Sequence, residues 1–173
     1  MMPIDAVAAA PLPADATAEV LALFEQHGAA LYRFSRSTLD SRADAQDVVQ
    51  ETFLKLLEHL RRGGDRTNLR AWLFTVAANA CRDRARRRLR WLPWRAELDT
   101  RTAAENDDPR DLARARTAFR RLSPRDRLLL SLRAQGLSYR DIGVAAGIRA
   151  SSVGRLLARA VDRAKRELDR AGA

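Results

Sequence analysis

Hydrophobic positions recur every three or four residues along most of this chain, the periodicity of helices that are buried on one side. The clearest case is the segment LRAWLFTVAANACRDRARRRLRW, residues Leu69–Trp91. Its apolar stripe consists of Leu69, Trp72, Leu73, Val76, Ala77 and Ala80. Polar residues such as Asn79 point away from the stripe, and six arginines follow between Arg82 and Arg90. The pattern predicts a helix with a packed first half and a cationic second half.

Two helices are predicted before this one. The first begins near Thr17, although Gly28 inside it weakens the prediction that it is unbroken. The second begins after Ser41, a residue type that caps helix N-termini, and ends before the Gly63-Gly64 pair. Its predicted apolar stripe contains Val49, Phe53, Leu56, Leu57 and Leu60.

A polar segment with weak periodicity separates two sets of helices. Pro93 stops the long helix, and residues 95–110 carry five acids, so they are predicted to form a linker. Residues 1–16 are rich in Ala and Pro, which predicts a disordered tail. The expected fold is all-α, with two small helical domains at residues 17–94 and 111–173 joined by the flexible linker.

Four helices are predicted in the second domain. The first has an inward side formed by Leu112, Ala115, Phe119 and Leu122. Ser123-Pro124 begins the second helix and Ser138 begins the third, because serine caps helices and proline suits the first helical position. The fourth runs from about Ser151 to Arg170, with an apolar side formed by Val153, Leu156, Leu157, Ala160, Val161, Ala164 and Leu168.

Two short helices separated by a glycine turn in this domain match a helix-turn-helix. Gly143 would allow close helix crossing, and Gly147 would adopt the positive φ of the turn. The candidates for base edges and phosphates are Tyr139, Arg140, Arg149, Ser151, Ser152, Arg155 and Arg159. The same glycine turn also suits an ordinary helical hairpin. Gly154 is unfavourable within the predicted fourth helix, because glycine lowers helix stability by roughly 1 kcal/mol relative to alanine.

The charge of the chain is strongly basic and unevenly placed. The formal net charge is +10, which indicates an acidic partner, with nucleic acid favoured over an anionic membrane. Residues 17–60 carry four basic and seven acidic residues, whereas residues 61–95 carry eleven arginines and two acids. Residues 111–173 carry fifteen basic and six acidic residues. One acidic and two basic blocks indicate three different contacts.

Composition also narrows the class of protein. No apolar run approaches the roughly 18 residues of a membrane span, and the first residues lack the basic start of a signal peptide, so a cytoplasmic protein is expected. Cys81 is the single cysteine and is expected to be a small core residue. His27 and His59 are far apart, and the carboxylates form no catalytic cluster. We therefore expect no enzymatic activity, metal or cofactor.

Two long segments resemble a known family. DAQDVVQETFLKLLEHL followed by NLRAWLFTVAANACRDRARRR is similar to region 2 of the extracytoplasmic-function (ECF) group of bacterial sigma-70 family sigma factors. LSPRDRLLLSLRAQGLSYRDIGVAAGIRASSVGRLLARAVDRAKREL is similar to their region 4. The resemblance covers about residues 18–171 in the family's order. It implies a promoter-specificity subunit that binds core RNA polymerase through its β′ and β subunits, recognises promoter DNA and melts it, with an anti-sigma factor as a candidate inhibitory partner.

The resemblance also implies roles for individual residues. Asp47, Gln50 and Glu51 stand where the family meets the β′ coiled coil. Asn79 stands where a flipped base of the −10 element is read, with Arg82, Arg86 and Arg87 beside it to hold phosphate. The helix after Gly147 would bind the −35 element as duplex. Gly154 and Leu156 depart from the commonest family pattern there. Trp72 lies on the apolar stripe and is expected to be core.

Two other functions remain open from the residues alone. A dimeric helix-turn-helix regulator would bind a palindrome without polymerase and would leave a symmetric footprint, but it gives the acidic helix no role. A nucleic-acid enzyme such as a nuclease would need a carboxylate or histidine metal cluster, and metal-dependent cleavage would reveal one.

Overall fold

The computed structural model describes residues 14–39, 41–91 and 109–171. Within these residues the regular structure is helical. The elements are α1 (Ala14–Thr38), α2 (Arg42–Arg61), α3 (Leu69–Trp91), α4 (Pro109–Arg121), α5 (Pro124–Ala134), α6 (Tyr139–Ala146) and α7 (Ala150–Arg170). The all-α expectation and the order of the helices are confirmed.

The predicted capping signals form. Ser41, Ser123 and Ser138 each accept a hydrogen bond at 3.1 Å from the backbone amide three residues later, and so satisfy an amide that has no partner within its own helix. The left-handed backbone that follows α2, α5 and α6 is adopted by Gly63, Gly136 and Gly147 (φ 70°, 72° and 68°). Serine at the start and glycine at the end therefore set these helix boundaries.

The first helix is longer than expected. It runs unbroken through Gly28, because the burial of Leu31 and Phe34 on the following turns outweighs the intrinsic cost of one glycine. It begins at Ala14, inside the predicted tail 1–16, and Ala16 is buried in the core. Residues 1–13 of that tail lie outside the described residues.

The second half of the described chain begins with α4, near the predicted end of the linker. Helix α4 begins at Pro109, so the last two positions of the predicted linker 95–110 are helical. The rest of that linker, and the stop signal at Pro93, lie outside the described residues.

The first three helices form one packed unit. The predicted stripe of α2 is confirmed, because Val49, Phe53, Leu56 and Leu60 are buried and Leu57 is half-buried. The rings of Phe34 and Phe74 meet edge to face at 5.5 Å between α1 and α3.

The last four helices pack around α7. The prediction for α4 is partly wrong: Ala115 is exposed and Ala118 is buried instead. Val161 and Leu168, expected inside, are 40% and 41% exposed. These side chains and Ala115 line a shallow groove between α4 and α7, because α4 covers only part of the apolar side of α7.

The two halves of the described chain pack against each other. Helix α1 contacts α5, and α3 contacts α6 along its length. The hydroxyl oxygens of Ser37 and Ser131 lie 2.7 Å apart, and Arg70 donates a hydrogen bond to the carbonyl of Gln135. Helix α3 is therefore covered on more than one side. This explains why burial extends beyond its predicted stripe to Ala71, Phe74, Ala78 and Cys81.

Candidate nucleic-acid interfaces and an acidic helix face

The acidic face of α2 presents its three predicted contact residues differently. Asp47 and Gln50 are exposed, and Glu51 is about one-third exposed. Glu51 accepts hydrogen bonds from Lys55 at 2.7 Å and from Arg84 of α3 at 2.8 Å. These bonds, the one from Lys55 first, lower the pKa of Glu51 below its ordinary value. Glu51 thus connects α2 to α3, whereas Asp47 and Gln50 face solvent.

An apolar groove that the sequence analysis missed adjoins this face. It has a volume of about 630 Å³, lies between α1 and α2, and includes Gln50 in its wall. Phe24 and Leu54 line it and remain 50% and 60% exposed. Leu54 lies outside the predicted apolar stripe of α2. A large apolar residue in that position could have predicted an exposed hydrophobic surface from the sequence.

The polar residues of α3 form one strip along the helix. Asn79 is exposed and accepts a hydrogen bond from the guanidinium of Arg82. At about 100° per residue, Asn79, Arg82 and Arg86 share one face, and Arg87 is turned roughly 80° from Asn79. Arg86 and Arg87 are both exposed. The amide is therefore held beside a cationic track.

One arginine of the cluster has a different role from its neighbours. Arg84 lies roughly 140° around the helix from Asn79, and its side chain is only 23% exposed. It turns back to Glu51 on α2. The number of arginines in the sequence could not show that Arg84 has a structural role while its neighbours face solvent.

Trp72, His59 and Cys81, whose side chains could stack on a base, bind a metal or react as a thiol, all pack within the first three helices. The Trp72 ring is half-buried and stacks on His59 at 4.6 Å, in agreement with a core position. Cys81 is fully buried, and burial raises the pKa of its thiol to about 12, so it is not a reactive thiolate at neutral pH. Among the described residues no group of His, Cys, Asp and Glu is arranged to hold a metal ion.

Helices α6 and α7 form the predicted helix-turn-helix. A Cβ added to Gly143 would lie 2.9 Å from the carbonyl oxygen of Ile148 and 3.2 Å from the amide nitrogen of Ala150. Glycine is therefore required for the first helix to cross this close to the turn. Gly147 ends α6 with φ 68°. Both glycines have the positions that the sequence analysis assigned to them.

The second helix of this unit presents a basic surface. Its exposed candidates are Arg149, Ser151, Arg155 and Arg159, and Ser152 is half-buried. Ser151, Arg155 and Arg159 follow one another at four-residue spacing, while Val153, Leu157 and Ala160 are buried on the other side. The N-terminus of α7 has no side-chain cap and no acid in its first turn. The amide of Ser152 donates to the carbonyl of Arg149 at 2.9 Å, so a phosphate would meet the amides before it in this turn.

Tyr139 and Arg140 begin α6 and are both exposed. The guanidinium of Arg133 lies over the Tyr139 ring, 5.7 Å from its centroid. The predicted −35 residues thus lie on α6 and on the first half of α7.

The two candidate DNA surfaces are neighbours in this structure. A Cβ on Gly136 would lie 3.8 Å from a guanidinium nitrogen of Arg70, and one on Gly147 would lie 3.1 Å from a guanidinium nitrogen of Arg82. Helices α3 and α6 therefore run side by side in the same direction. The turn of the helix-turn-helix reaches the strip that contains Asn79.

Family models match both halves of the chain. The model described as Sigma-70 region 2 matches residues 23–91, and the model described as Sigma-70, region 4 matches residues 112–163. No helix among the described residues is long and apolar enough to span a membrane.

Curated relatives share this order. The RNA polymerase sigma factor CarQ of Myxococcus xanthus is 31% identical over 132 residues, which cover 73% of this chain and 75% of CarQ. The RNA polymerase sigma factor CnrH of Cupriavidus metallidurans is 30% identical over 146 residues, which cover 76% of each protein. The ECF RNA polymerase sigma factor SigL of Mycobacterium tuberculosis is 44% identical over 66 residues, a match that spans only 37% of SigL.

Solved structures resemble both halves together. The sigma factor RpoE in complex with the anti-sigma factor NepR from Bartonella quintana superposes with a TM-score of 0.68 at 25% identity, covering 90% of this chain and 97% of RpoE. CnrH in complex with the cytosolic domain of CnrY gives a TM-score of 0.65 at 28% identity, covering 91% of this chain and 95% of CnrH.

Proposed function

Because this chain belongs to the ECF group of the sigma-70 family, we propose that it binds core RNA polymerase and directs promoter recognition, DNA melting and transcription initiation. The observation that carries the proposal is the combination, in one chain, of an acidic helix face, an amide on a cationic helix and a basic helix-turn-helix. A dimeric duplex-binding regulator needs only the last of these. The protein acts by binding, without catalysis of its own, and works in the cytoplasm with the polymerase.

In this proposal each of the three surfaces binds one partner. Asp47 and Gln50 of α2, with Glu51 behind them, meet the β′ coiled coil. Asn79 reads an extruded base of the −10 element, and Arg82, Arg86 and Arg87 hold the neighbouring phosphates. The start of α7, with Tyr139 and Arg140 of α6, binds the −35 element as duplex.

The free energy for DNA opening comes from differential binding. A flipped base and single-stranded phosphates can contact α3 only after the duplex has opened. Contacts of that kind shift the equilibrium toward the open state, and contacts made equally to both states do not. An exposed Asn79 with its oxygen already oriented by Arg82 is suited to this task.

Binding both promoter elements requires the two halves to separate. Elements centred near −10 and −35 lie about 25 base pairs apart, which is about 85 Å along straight duplex DNA. Helices α3 and α6 are packed side by side, at the roughly 10 Å spacing of helices in contact. The packed arrangement therefore cannot bind both elements at once, and α3 and α6 must separate when the protein binds them.

An inhibitory protein partner is part of the proposal. RpoE was solved with an anti-sigma factor, and the likeness to it extends over both halves of this chain. A partner that holds α3 against α6 would keep the two DNA surfaces from binding their separate promoter elements at the same time.

Run-off transcription tests the function directly. Purified protein and core RNA polymerase are incubated with fragmented genomic DNA, and the transcript start sites are mapped. We expect defined starts that core polymerase alone does not produce. Unchanged start selection, or a two-fold symmetric duplex footprint by the protein alone, would show that the proposal is wrong and favour the dimeric regulator.

A further inference from the structure

The recognition helix α7 contains a glycine where most helices would carry a side chain. Gly154 lies in the second turn of α7, between Ser151 and Arg155 on the surface proposed for the −35 element. The intrinsic cost of glycine within a helix is roughly 1 kcal/mol relative to alanine. Its φ is not in the left-handed region, so the backbone does not require glycine here. The reason for it must lie in what packs against it.

The neighbour of Gly154 is the ring of Tyr139. A Cβ added at this position would lie 3.3 Å from Cε2 of Tyr139, closer than ordinary van der Waals contact. The absence of a side chain at residue 154 therefore leaves room for the edge of the ring against the recognition helix. Tyr139 itself is 48% exposed, so its ring lies on the surface and not in the core.

The ring is also contacted from a third helix. The guanidinium of Arg133, near the end of α5, lies over the ring at 5.7 Å from its centroid. Arg133 in turn donates a hydrogen bond to the carbonyl of Leu137 at 3.4 Å, in the turn that leads into α6. The Tyr139 ring thus lies between the guanidinium of Arg133 and the side of α7 at Gly154.

We propose that Gly154 is a positioning residue for −35 recognition, because its missing side chain lets the Tyr139 ring lie against α7 and present its hydroxyl to the DNA. The inference rests on the proposed function and adds a residue to it. A tyrosine hydroxyl at the first residue of the supporting helix can donate to a phosphate oxygen of the duplex. The backbone space at residue 154 fixes where that hydroxyl lies.

A double-mutant cycle tests this with holoenzyme. The readout is −35 dependence, the ratio of transcription from a mapped promoter to transcription from the same promoter with a scrambled −35 element. We expect G154A and Y139F each to lower this ratio by about three- to tenfold, which lies within the range of an ordinary net hydrogen-bond contribution. The double variant G154A/Y139F should lose no more than either single variant.

Thermal stability separates positioning from structural damage. Alanine is the better helix former, so G154A should keep or raise the melting temperature while −35 dependence falls. Dependence on the −10 element is the internal control, because Gly154 lies in the other half of the chain. In a Y139A background, G154A should leave the −35 ratio within twofold.

Two outcomes overturn the inference. One is that G154A has the same −35 ratio as wild type, when the wild-type holoenzyme does depend on the −35 element. The other is the same loss from G154A with and without Tyr139. Failure of the proposed function would look different, because wild-type holoenzyme would then show no dependence on the −35 element at all.

Discussion

At the scale of single residues, the same type of side chain has different roles on α3. Arg82 donates to Asn79, Arg84 turns back to Glu51, and Arg86 is exposed. The helical rotation between these positions decides the partner of each. Substitutions of neighbouring residues should therefore have distinct effects.

Asn79→Ala should change base discrimination within the −10 element. The loss of a paired amide contact to a base edge amounts to about 1–3 kcal/mol, or roughly five- to 150-fold in preference at one position. Open-complex formation on a set of −10 variants measures it. Arg86→Ala is the matched comparison and should weaken all variants alike. If the order of preferred bases stays the same in Asn79→Ala, the assignment of Asn79 is wrong.

Asp126 forms a buried ion pair in the second half. It is buried and accepts two hydrogen bonds from Arg163 of α7, at 2.6 and 2.7 Å. Burial alone would raise the pKa of Asp126, but the bonds from Arg163 and Ser123 outweigh it and lower that pKa. The stability contributed by the pair is therefore complete above the unfolded-state pKa near 3.9 and is lost as the pH falls through the folded-state pKa.

Asp126→Asn should lower the free energy of unfolding by about 1–3 kcal/mol at pH 7. The difference from wild type should shrink as the pH is lowered toward 3, because wild type then loses the same charge. Denaturant unfolding across this pH range measures it. Asp162→Asn, at an exposed acid on α7, should stay within about 0.5 kcal/mol of wild type. A difference independent of pH would contradict the role of the carboxylate charge.

At the scale of elements, one surface of α2 contains both the proposed docking residues and a residue that connects α2 to α3. Asp47 is exposed, whereas Glu51 is held by Lys55 and Arg84. Reversing the charge at Glu51 would disturb the α2–α3 contact as well as any partner. Asp47 is therefore the cleaner probe of polymerase binding.

Asp47→Arg should weaken co-purification with core polymerase by at least tenfold, since it places a like charge where an opposite one is proposed. The melting temperature should not change, because the side chain is exposed. Asp169→Arg makes the same change in net charge on exposed surface of α7 and should leave binding intact. Equal recovery of polymerase with both variants would move the docking face elsewhere.

At the scale of the whole molecule, the packed arrangement of α3 on α6 conflicts with simultaneous binding of two distant promoter elements. The hydroxyl oxygens of Ser37 and Ser131, 2.7 Å apart, bridge the two halves through α1 and α5. They are close enough to test a disulfide between cysteines at these positions. The native Cys81 is buried with a raised pKa and should not compete.

The double variant Ser37→Cys/Ser131→Cys should lose promoter-dependent transcription under oxidising conditions and regain it with a reductant. Each single variant controls for the substitutions themselves, and electrophoretic mobility reports the crosslink. Full activity of the crosslinked protein would mean that the halves need not separate.

Much of the candidate site could be predicted from the sequence because its signals are local. Serine caps, glycine turns and apolar periodicity depend on residues a few positions apart, so the bounds of α3 and the helix-turn-helix followed from them. The exposure of Asn79 followed from its place outside the apolar stripe. The exposure of Ala115 and the groove beside Gln50 could not be predicted in this way, because the number of sides that a helix buries depends on what packs against it.

By itself, the sequence determined the helices, their order, and the separation of acidic from basic surfaces, since each rests on short-range hydrogen bonding and side-chain periodicity. Only the tertiary structure decided that Arg84 pairs with Glu51, that α6 covers α3, and that the Tyr139 ring lies against Gly154. These contacts join residues 15 or more positions apart, and chain folding alone brings them within van der Waals or hydrogen-bond distance.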